Sequence, residues 1–269
     1  MKNPSHIKFT KMHGLGNDFI IIDTTQQTFF NLAKFPIQQL SHRYTGIGFD
    51  QALIIGTSNK ANYSCRFFNA DGSEAEQCGN GVRCVARFLH ENGLLSNNQL
   101  TIETKAGIIA VVIHDYEHIQ VSLGTPVIEA DKKIQLDNSQ ISYSMSVLSM
   151  GNPHAILQVK SVNDAAVQDL GQQIATHPDF PKGVNVGFME IVTPEQILLR
   201  TYERGVGETL ACGSNACAAV VAGITNRLLK NIVTVSLALG QLQIAWSGEN
   251  SAVTMTGPAS RVFEGVLSL

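Results

Sequence analysis

Charge is scarce in this chain. Only 15% of its 269 residues are Asp, Glu, Lys or Arg, and the formal net charge is -3. So small an acidic balance offers no electrostatic attraction for nucleic acid or an anionic membrane. Long apolar runs are also missing, and none approaches the roughly 20 residues a helix needs to cross a bilayer. The opening residues Met1-Lys2-Asn3-Pro4-Ser5-His6 lack the apolar stretch of a secretory signal and lead into a short strand. The expected compartment is therefore the cytoplasm. Cysteine is neither abundant nor even in number: five in a chain of this length do not suggest a secreted disulfide framework. Close-spaced metal ligands are absent as well. Cys78/Cys84 and Cys212/Cys217 are too widely separated for the usual zinc pairs, and there is no Cys-x-x-Cys or HExxH. No metal is expected.

What the chain does have is apolar material for a core, at 44%, and a long internal repeat. Arg66-Phe67-Phe68-Asn69 is followed, after an acidic Gly-containing loop, by Cys78-Gly79-Asn80-Gly81. Arg200-Thr201-Tyr202-Glu203 leads in the same way to Cys212-Gly213-Ser214-Asn215, and both Arg-to-Cys spacings are 12. The offset holds elsewhere: 135 from Asn17 to Asn152, 134 from Gln51 to Asn185, Asn69 to Glu203 and Cys78 to Cys212, and 133 from Gly107 to Gly240 and Gly124 to Gly257. Twice that offset nearly fills the chain, which is therefore a duplicated domain rather than a short-repeat array.

Within each copy the pattern is strand-rich with one marked helix. In the first, strands are expected at 7–12, 19–23, after Gln51 to 55, 63–68, 100–103, 108–113 and 118–123, with a short helix near 37–43. Val82, Val85, Phe88 and Leu89 recur at helical spacing after Gly79, with Arg83 and Arg87 off that stripe and Asn92-Gly93 as the stop. In the second, strands are expected at 146–150, 155–159, after Asn185 to 191, 197–202, 232–238, 242–246 and 252–256, with a weaker helix at 165–176. Residues 216–224 are apolar all round, so that helix belongs inside a wrapping of sheet. These patterns predict an α+β fold of two pseudo-symmetric domains, each a curved sheet or open barrel around a central helix. The expected domains are 1–123, completed by a last strand at 262–267 within 258–269, and 124–257, with an active site in the cleft between them.

The chemistry centres on Cys78 and Cys212, each just ahead of a helix. Free N–H groups and the positive end of the helix dipole favour a thiolate there and can hold a carboxylate. Gly79 and Gly213 allow close backbone approach. Buried structural cysteines commonly sit mid-element on an apolar face, as Cys84 and Cys217 do; Cys78 and Cys212 instead follow polar loops. One thiolate removing a proton from a carbon while a thiol returns one to the opposite face inverts that carbon. Such a two-base reaction needs near-mirror symmetry, which duplication supplies.

The stretches His13-Gly14-Leu15-Gly16-Asn17-Asp18-Phe19, Gly46-Ile47-Gly48-Phe49-Asp50-Gln51, Phe68-Asn69-Ala70-Asp71-Gly72-Ser73, Cys78-Gly79-Asn80-Gly81-Val82-Arg83-Cys84, Gly151-Asn152-Pro153-His154, Gly183-Val184-Asn185 and Tyr202-Glu203-Arg204-Gly205-Val206-Gly207-Glu208-Thr209 closely resemble the diaminopimelate epimerase family, from residue 8 to about 260. The resemblance implies cofactor-independent interconversion of LL- and meso-2,6-diaminopimelate, on the route to lysine and cell-wall precursors, by a homodimer. It implies that Cys78 donates and Cys212 accepts the proton in the LL-to-meso direction, with His154 and Glu203 tuning the thiols. Gly79, Asn80, Gly213 and Ser214 would present N–H groups to the reacting carboxylate. Asn17, Gln51, Asn69, Asn152, Asn185, Glu203 and Arg204 would hold the rest of this small-molecule substrate. A set rich in amides with one Arg suits a zwitterion with two amino-acid ends, and Arg204 can clamp a distal carboxylate in bidentate fashion.

Blander readings exist for these residues. Asn17, Asn69 and Asn152 are also turn formers, His154 could end a strand on a solvated face, and Glu203-Arg204 could be an exposed charge pair. His6, His42, His90, His114, His118 and His177 show no constellation and read as surface or loop residues. Two positions depart from the family pattern: Asn215 stands where Gly is usual, and Phe263 where several relatives carry a Tyr linked to dimer contacts. A proline racemase-like or hydroxyproline epimerase activity would have no use for a distal carboxylate clamp. An amino-acid-binding protein without catalysis would be marked by loss of one cysteine, and a PhzF-like isomerase by lack of the pair.

Overall fold

Apolar residues alternate with polar ones in short runs along most of the chain, and these runs become strands. A computed structural model describes residues 6–27, 31–136 and 141–268. The chain divides into two units, Met1–Val121 with Gly257–Leu269, and Ser122–Thr256.

Unit 1 contains β1 (His6–Gly14), β2 (Asn17–Asp23), α1 (Ile37–Ser41), β3 (Gln51–Gly56), β4 (Tyr63–Asn69), β5 (Glu74–Ala75), α2 (Gly79–Glu91), β6 (Gln99–Thr104), β7 (Gly107–Ile113) and β8 (Ile119–Ser122). The pairing runs β1–β2 antiparallel, β2–β3 parallel, and β3–β4 and β4–β5 antiparallel. It continues with β4–β6 parallel and β6–β7 and β7–β8 antiparallel.

Unit 2 contains β9 (Val127–Ile128), β10 (Lys132–Gln135), β11 (Ser142–Ser149), β12 (Pro153–Gln158), α3 (Val167–Ala175), β13 (Asn185–Thr193), β14 (Gln196–Glu203), β15 (Gly207–Thr209), α4 (Gly213–Thr225), β16 (Ile232–Leu237), β17 (Gly240–Ala245) and β18 (Thr254–Gly257). From β11 onward the pairings repeat those of unit 1 in order and sense: β11–β12 antiparallel, β12–β13 parallel, β13–β14 and β14–β15 antiparallel, β14–β16 parallel, then β16–β17 and β17–β18 antiparallel. The numerical offset in the sequence is thus an offset in topology. The last strand, β19 (Ser260–Ser268), joins unit 1 by pairing antiparallel with β1.

In each unit the strands carry one helix on each face, because alternation gives each strand two apolar sets. In unit 1, Ile20, Ile22, Ala52, Ile54 and Phe68 cluster with Ile37 and Leu40 of α1. The intervening Leu53 and Phe67 lie against Gly81 of α2. In unit 2, Ala155, Leu157, Val186, Phe188 and Tyr202 pack on Val167 and Ile174 of α3, while Ile156 and Gly187 face Asn215 of α4. The all-round apolar α4 is buried from Asn215 to Gly223 and meets β11, β12, β13, β14 and β17.

Both central helices end alike. The N–H groups of Gly93 and Leu94 bond to the carbonyls of His90 and Leu89, and those of Arg227 and Leu228 to Ile224 and Gly223. Gly93 (φ 67°) and Arg227 (φ 60°) occupy the left-handed position this closure requires. An Arg–Glu clamp is duplicated as well. Arg66 Nε and Nη2 bond Glu74 at 2.7 and 3.0 Å, and Arg200 Nε and Nη2 bond Glu208 at 2.7 and 2.9 Å. Each clamp closes the hairpin that leads into a cysteine.

Several expectations need correction. β5, β9, β10 and β15 were not foreseen: they are two to four residues long, too short to show a period. The strand expected at 146–150 begins at Ser142, because its first half pairs with β10. Arg83, expected off the buried stripe, is 0% exposed. Its Nε donates to the Pro258 carbonyl at 3.1 Å, and its guanidinium fills the space a side chain at Gly14 would need. His90, read as surface or loop, sits in the last turn of α2 between Tyr116 Oη (2.8 Å) and Asn98 Oδ1 (3.2 Å).

Candidate active site

Cys78 and Cys212 are the N-cap residues of α2 and α4, with extended backbones at φ -145° and -118°. The Cys212 sulfur stays on its own first turn, accepting from the Asn215 N–H and the Ser214 hydroxyl, whereas the Cys78 thiol is turned to Asn17. The N–H groups of the first turns, which begin at Gly79 and Gly213, have no intrahelical acceptor and suit an anion.

Of the residues predicted in unit 1, Asn17 and Asn80 lie at Cys78, while Gln51 and Asn69 form a pair of their own. Asn17 opens β2, and its Oδ1 accepts from the Cys78 thiol (3.5 Å) and from Asn80 Nδ2 (3.3 Å). Gln51 opens β3 and pairs across the sheet with Asn69 at the end of β4. Gln51 Nε2 donates to Asn69 Oδ1 at 2.8 Å, Asn69 Nδ2 donates to Ser73 Oγ at 3.0 Å, and Ser73 Oγ donates to Asp71 Oδ1 at 2.6 Å. This chain of donors leaves Gln51 Oε1 buried with no protein partner among the described residues. It is an acceptor held ready for a ligand's N–H group.

Around Cys212, unit 2 gathers Asn152, His154, Asn185, Glu203, Arg204 and Ser214. His154 is the second residue of β12 and pairs with Asn185 of β13. Asn185 Oδ1 accepts from the Arg204 backbone N–H at 3.1 Å, which fixes the turn leaving β14. Arg204 is exposed and spends one nitrogen, Nη1, on the Lys182 carbonyl at 2.6 Å. Thr209 Oγ1 donates to Glu203 Oε1 at 2.6 Å. Asn152 Nδ2 donates to Ser214 Oγ at 3.4 Å, and Ser214 Oγ lies 3.5 Å from Cys212 Sγ.

Electrostatics separates two residues from expectation. A helix mouth was expected to favour the Cys212 thiolate. Instead burial, then the Glu203 charge, push this thiol well above its ordinary value, and hydrogen bonds from Ser214 and the Asn215 N–H only partly offset them. Cys212 is thus a protonated thiol whose hydrogen bonds to the Glu203 carboxylate. His154, far from a solvated strand end, is 0% exposed. Burial, helped by the Arg204 charge, pushes its pKa down to about 3, so the ring is neutral. The Asn152 carboxamide oxygen can only accept, so His154 Nε2 donates to it at 3.0 Å and Nδ1 is a buried acceptor.

Asp50 was missed. It binds Asn17, and the signal was the acidic residue beside each of two site amides, in Asn17-Asp18 and Asp50-Gln51.

Two strand-rich units of matching topology, each presenting a cysteine at a helix mouth, define a class. The fold is that of solved structures such as the Bacillus anthracis phenazine biosynthesis protein of the PhzF family, 18% identical with a TM-score of 0.75 over 98% of this chain and 99% of that one. A hydroxyproline epimerase from Agrobacterium vitis shares it, at 16% identity and a TM-score of 0.74 over 98% and 93%. Within that class, residues 9–129 and 146–262 match the diaminopimelate epimerase family model. The chain is 45% identical to the diaminopimelate epimerase of Azoarcus sp. (strain BH72), covering 98% of this chain and 99% of that one. It is 47% identical to that of Acinetobacter baylyi, covering 98% of each. The chain belongs to the diaminopimelate epimerase family.

Proposed function

We propose that this protein interconverts LL- and meso-2,6-diaminopimelate without a cofactor, by proton transfer at one α-carbon between Cys78 and Cys212. The observation that carries the reading is the pair of cysteines at equivalent N-caps in topologically matched units, in a chain 45–47% identical to proteins named for this activity.

Removing an α-proton drives negative charge onto the adjoining carboxylate. Donors already aimed at that charge cost no reorganisation when it develops. The N–H groups at Gly79, Asn80, Gly213 and Ser214 are assigned to it. In the LL-to-meso direction Cys212 gives its proton toward Glu203, takes the α-proton as thiolate, and Cys78 delivers a proton to the other face of the carbon. The reverse reaction exchanges the roles. His154, neutral and fixed in one tautomer, contributes a buried acceptor rather than a charge. The bare Gln51 Oε1 suits an ammonium group of the substrate, with Asn17, Asn69, Asn152, Asn185 and Arg204 reading its remaining polar groups. Rejecting a substrate that lacks the distal amino-acid end follows from leaving such groups unpaired. The product serves lysine and cell-wall precursor synthesis in the cytoplasm, and the working form is a homodimer.

The test is solvent exchange. Reduced protein with no added cofactor, in deuterium oxide, is expected to place deuterium at the α-carbon of diaminopimelate and to generate the second stereoisomer. Absence of exchange on diaminopimelate, with inversion of proline by the same sample, would sink the assignment.

A further inference from the structure

Asn17 and Asn152 occupy matching places, each two residues before the first ladder partner of its parallel strand pair, Phe19 with Gln51 and His154 with Asn185. Their amides are used in opposite senses. Asn152 gives its oxygen to His154 and turns its nitrogen toward Ser214, whose hydroxyl is therefore free to donate to the Cys212 sulfur. Asn17 gives its nitrogen to Asp50 Oδ2 at 2.8 Å and turns its oxygen to the Cys78 thiol. Asn17 thus presents an acceptor to Cys78, whereas Asn152 leaves the Ser214 hydroxyl to donate to Cys212, whose own hydrogen goes to Glu203.

The difference originates at Asp50. A carboxylate only accepts, so the Asn17 amide nitrogen must face it and the carbonyl oxygen must face away. The residue equivalent to Asp50 at the repeat offset is Val184, which imposes no such choice. Asp50 is itself held from several sides. Its Oδ1 accepts from Arg43 Nη2 at 2.8 Å, its Oδ2 from the Asp18 N–H at 3.2 Å, and its own N–H donates to Asp18 Oδ1 at 3.0 Å. Arg43 also forks onto both oxygens of Asp18, at 3.0 and 2.9 Å, and Lys11 Nζ binds Asp18 Oδ2 at 2.5 Å. Lys11 also donates to the Gly48 carbonyl, two residues before Asp50. Burial opposes the Asp18 charge, but the bonds from Arg43 and then Lys11 outweigh it and keep Asp18 ionised. The cluster is a rigid mount, and Asn17 is the part it aims.

We propose that Asp50 is a positioning residue: by accepting from the Asn17 amide nitrogen it turns the Asn17 oxygen onto the Cys78 thiol and so holds the Cys78 proton in place until it is delivered. An amide oxygen stabilises the S–H by accepting from it yet cannot take the proton away, so the thiol stays loaded until a carbanion needs it. The assignment rests on the two-cysteine reading above for its catalytic meaning, but the orientation itself does not. Cys78 is close enough to act on two other thiols, Cys65 on β4 and Cys84 on α2. Both are held protonated by burial, Cys84 with a pKa pushed up to about 12. Lys8 and Lys11 on β1, Asp18 and Asp23 on β2, Arg66 on β4, and Arg83, Arg87 and Glu91 on α2 are charged groups of the neighbouring elements, with Arg43 and Asp50 on the loop before β3.

The experiment is residue-resolved alkylation of the substrate-free protein against pH, with each cysteine followed by mass spectrometry. It needs no turnover, so it is independent of whether diaminopimelate is the substrate. Asp50→Ala frees the Asn17 amide to turn its nitrogen to the sulfur. The Cys78 alkylation midpoint is expected to move down by about half a pH unit or more while that of Cys212 stays in place. Asp50→Asn removes the same charge but keeps an acceptor for Asn17, with Arg43 still paired to Asp18, so its midpoint is expected between wild type and Asp50→Ala. Equal shifts in the two variants would mean that charge alone acts, and an unmoved Cys78 midpoint in folded Asp50→Ala would mean that nothing does; either overturns the proposal. Should Asp50→Ala not fold, Asn17→Asp carries the test. A carboxylate against the thiol must raise the Cys78 midpoint, and an unchanged midpoint overturns the proposal.

Discussion

The Glu203 carboxylate bears on the Cys212 thiol and, after burial, is the chief cause of its raised pKa. Glu203 is in turn held by Thr209 at 2.6 Å. Replacing it by Gln removes the charge but keeps the shape. Glu203→Gln is expected to lower the alkylation midpoint of Cys212 while leaving it above the ordinary thiol value of 9.0, because burial persists. Proton abstraction should slow by about a hundredfold, since the thiol then has no carboxylate to receive its hydrogen. A Cys212 midpoint unchanged in this variant would contradict the pairing.

The buried imidazole of His154 makes stability depend on pH in a defined window. The unfolded chain protonates it near its ordinary value of 6.5, the folded chain only near about 3. Between these values the unfolded state holds more protons, so stability is full above pH 6.5 and is lost as the pH falls. The slope is at most about 1.4 kcal/mol per pH unit. The Tm is expected to drop from pH 7 to pH 5, and to drop less in His154→Gln, which keeps a donor for Asn152 and cannot titrate. Parallel Tm curves for the two proteins would refute this.

The helix–sheet contact of unit 2 makes a third prediction. A Cβ at Gly187 would lie 2.3 Å from Asn215 Oδ1 and 2.7 Å from Ile156 Cδ1. Gly187→Ala is expected to destabilise by about 1–3 kcal/mol through overpacking. Adding Asn215→Gly should recover part of that loss, because one of the two clashes disappears and two buried, unpartnered amide atoms go with it. Strictly additive effects in denaturant titrations would show that the residues are not coupled.

Local pattern carried much of this. The helical spacing from Val82 to Leu89, the all-apolar stretch after Cys212 and the constant offset were readable because each depends only on residue order. Asp50 was not, since its meaning comes from Asn17 and Asp18, more than thirty positions away and brought near by the parallel pairing of β2 with β3. Arg83 was misread for a similar reason: its acceptor, the Pro258 carbonyl, comes from the far end of the chain. The charge state of Cys212 was also out of reach. Position at a helix mouth is visible in a sequence, whereas full burial beside Glu203 is a property of the packed unit.

At the contact between central helix and sheet the two copies have exchanged bulk. Unit 1 places Gly81 on the helix, where an added Cβ would come within 3.1 Å of both Leu53 and Phe67; unit 2 places Asn215 on the helix, over Gly187 and beside Thr201. Recombination between the two halves of the coding sequence would therefore join a bulky helix to a bulky sheet in one product, and a slim helix to a slim sheet in the other. The first cannot close and the second closes on a void. At this contact the two halves, though alike in topology, are no longer interchangeable.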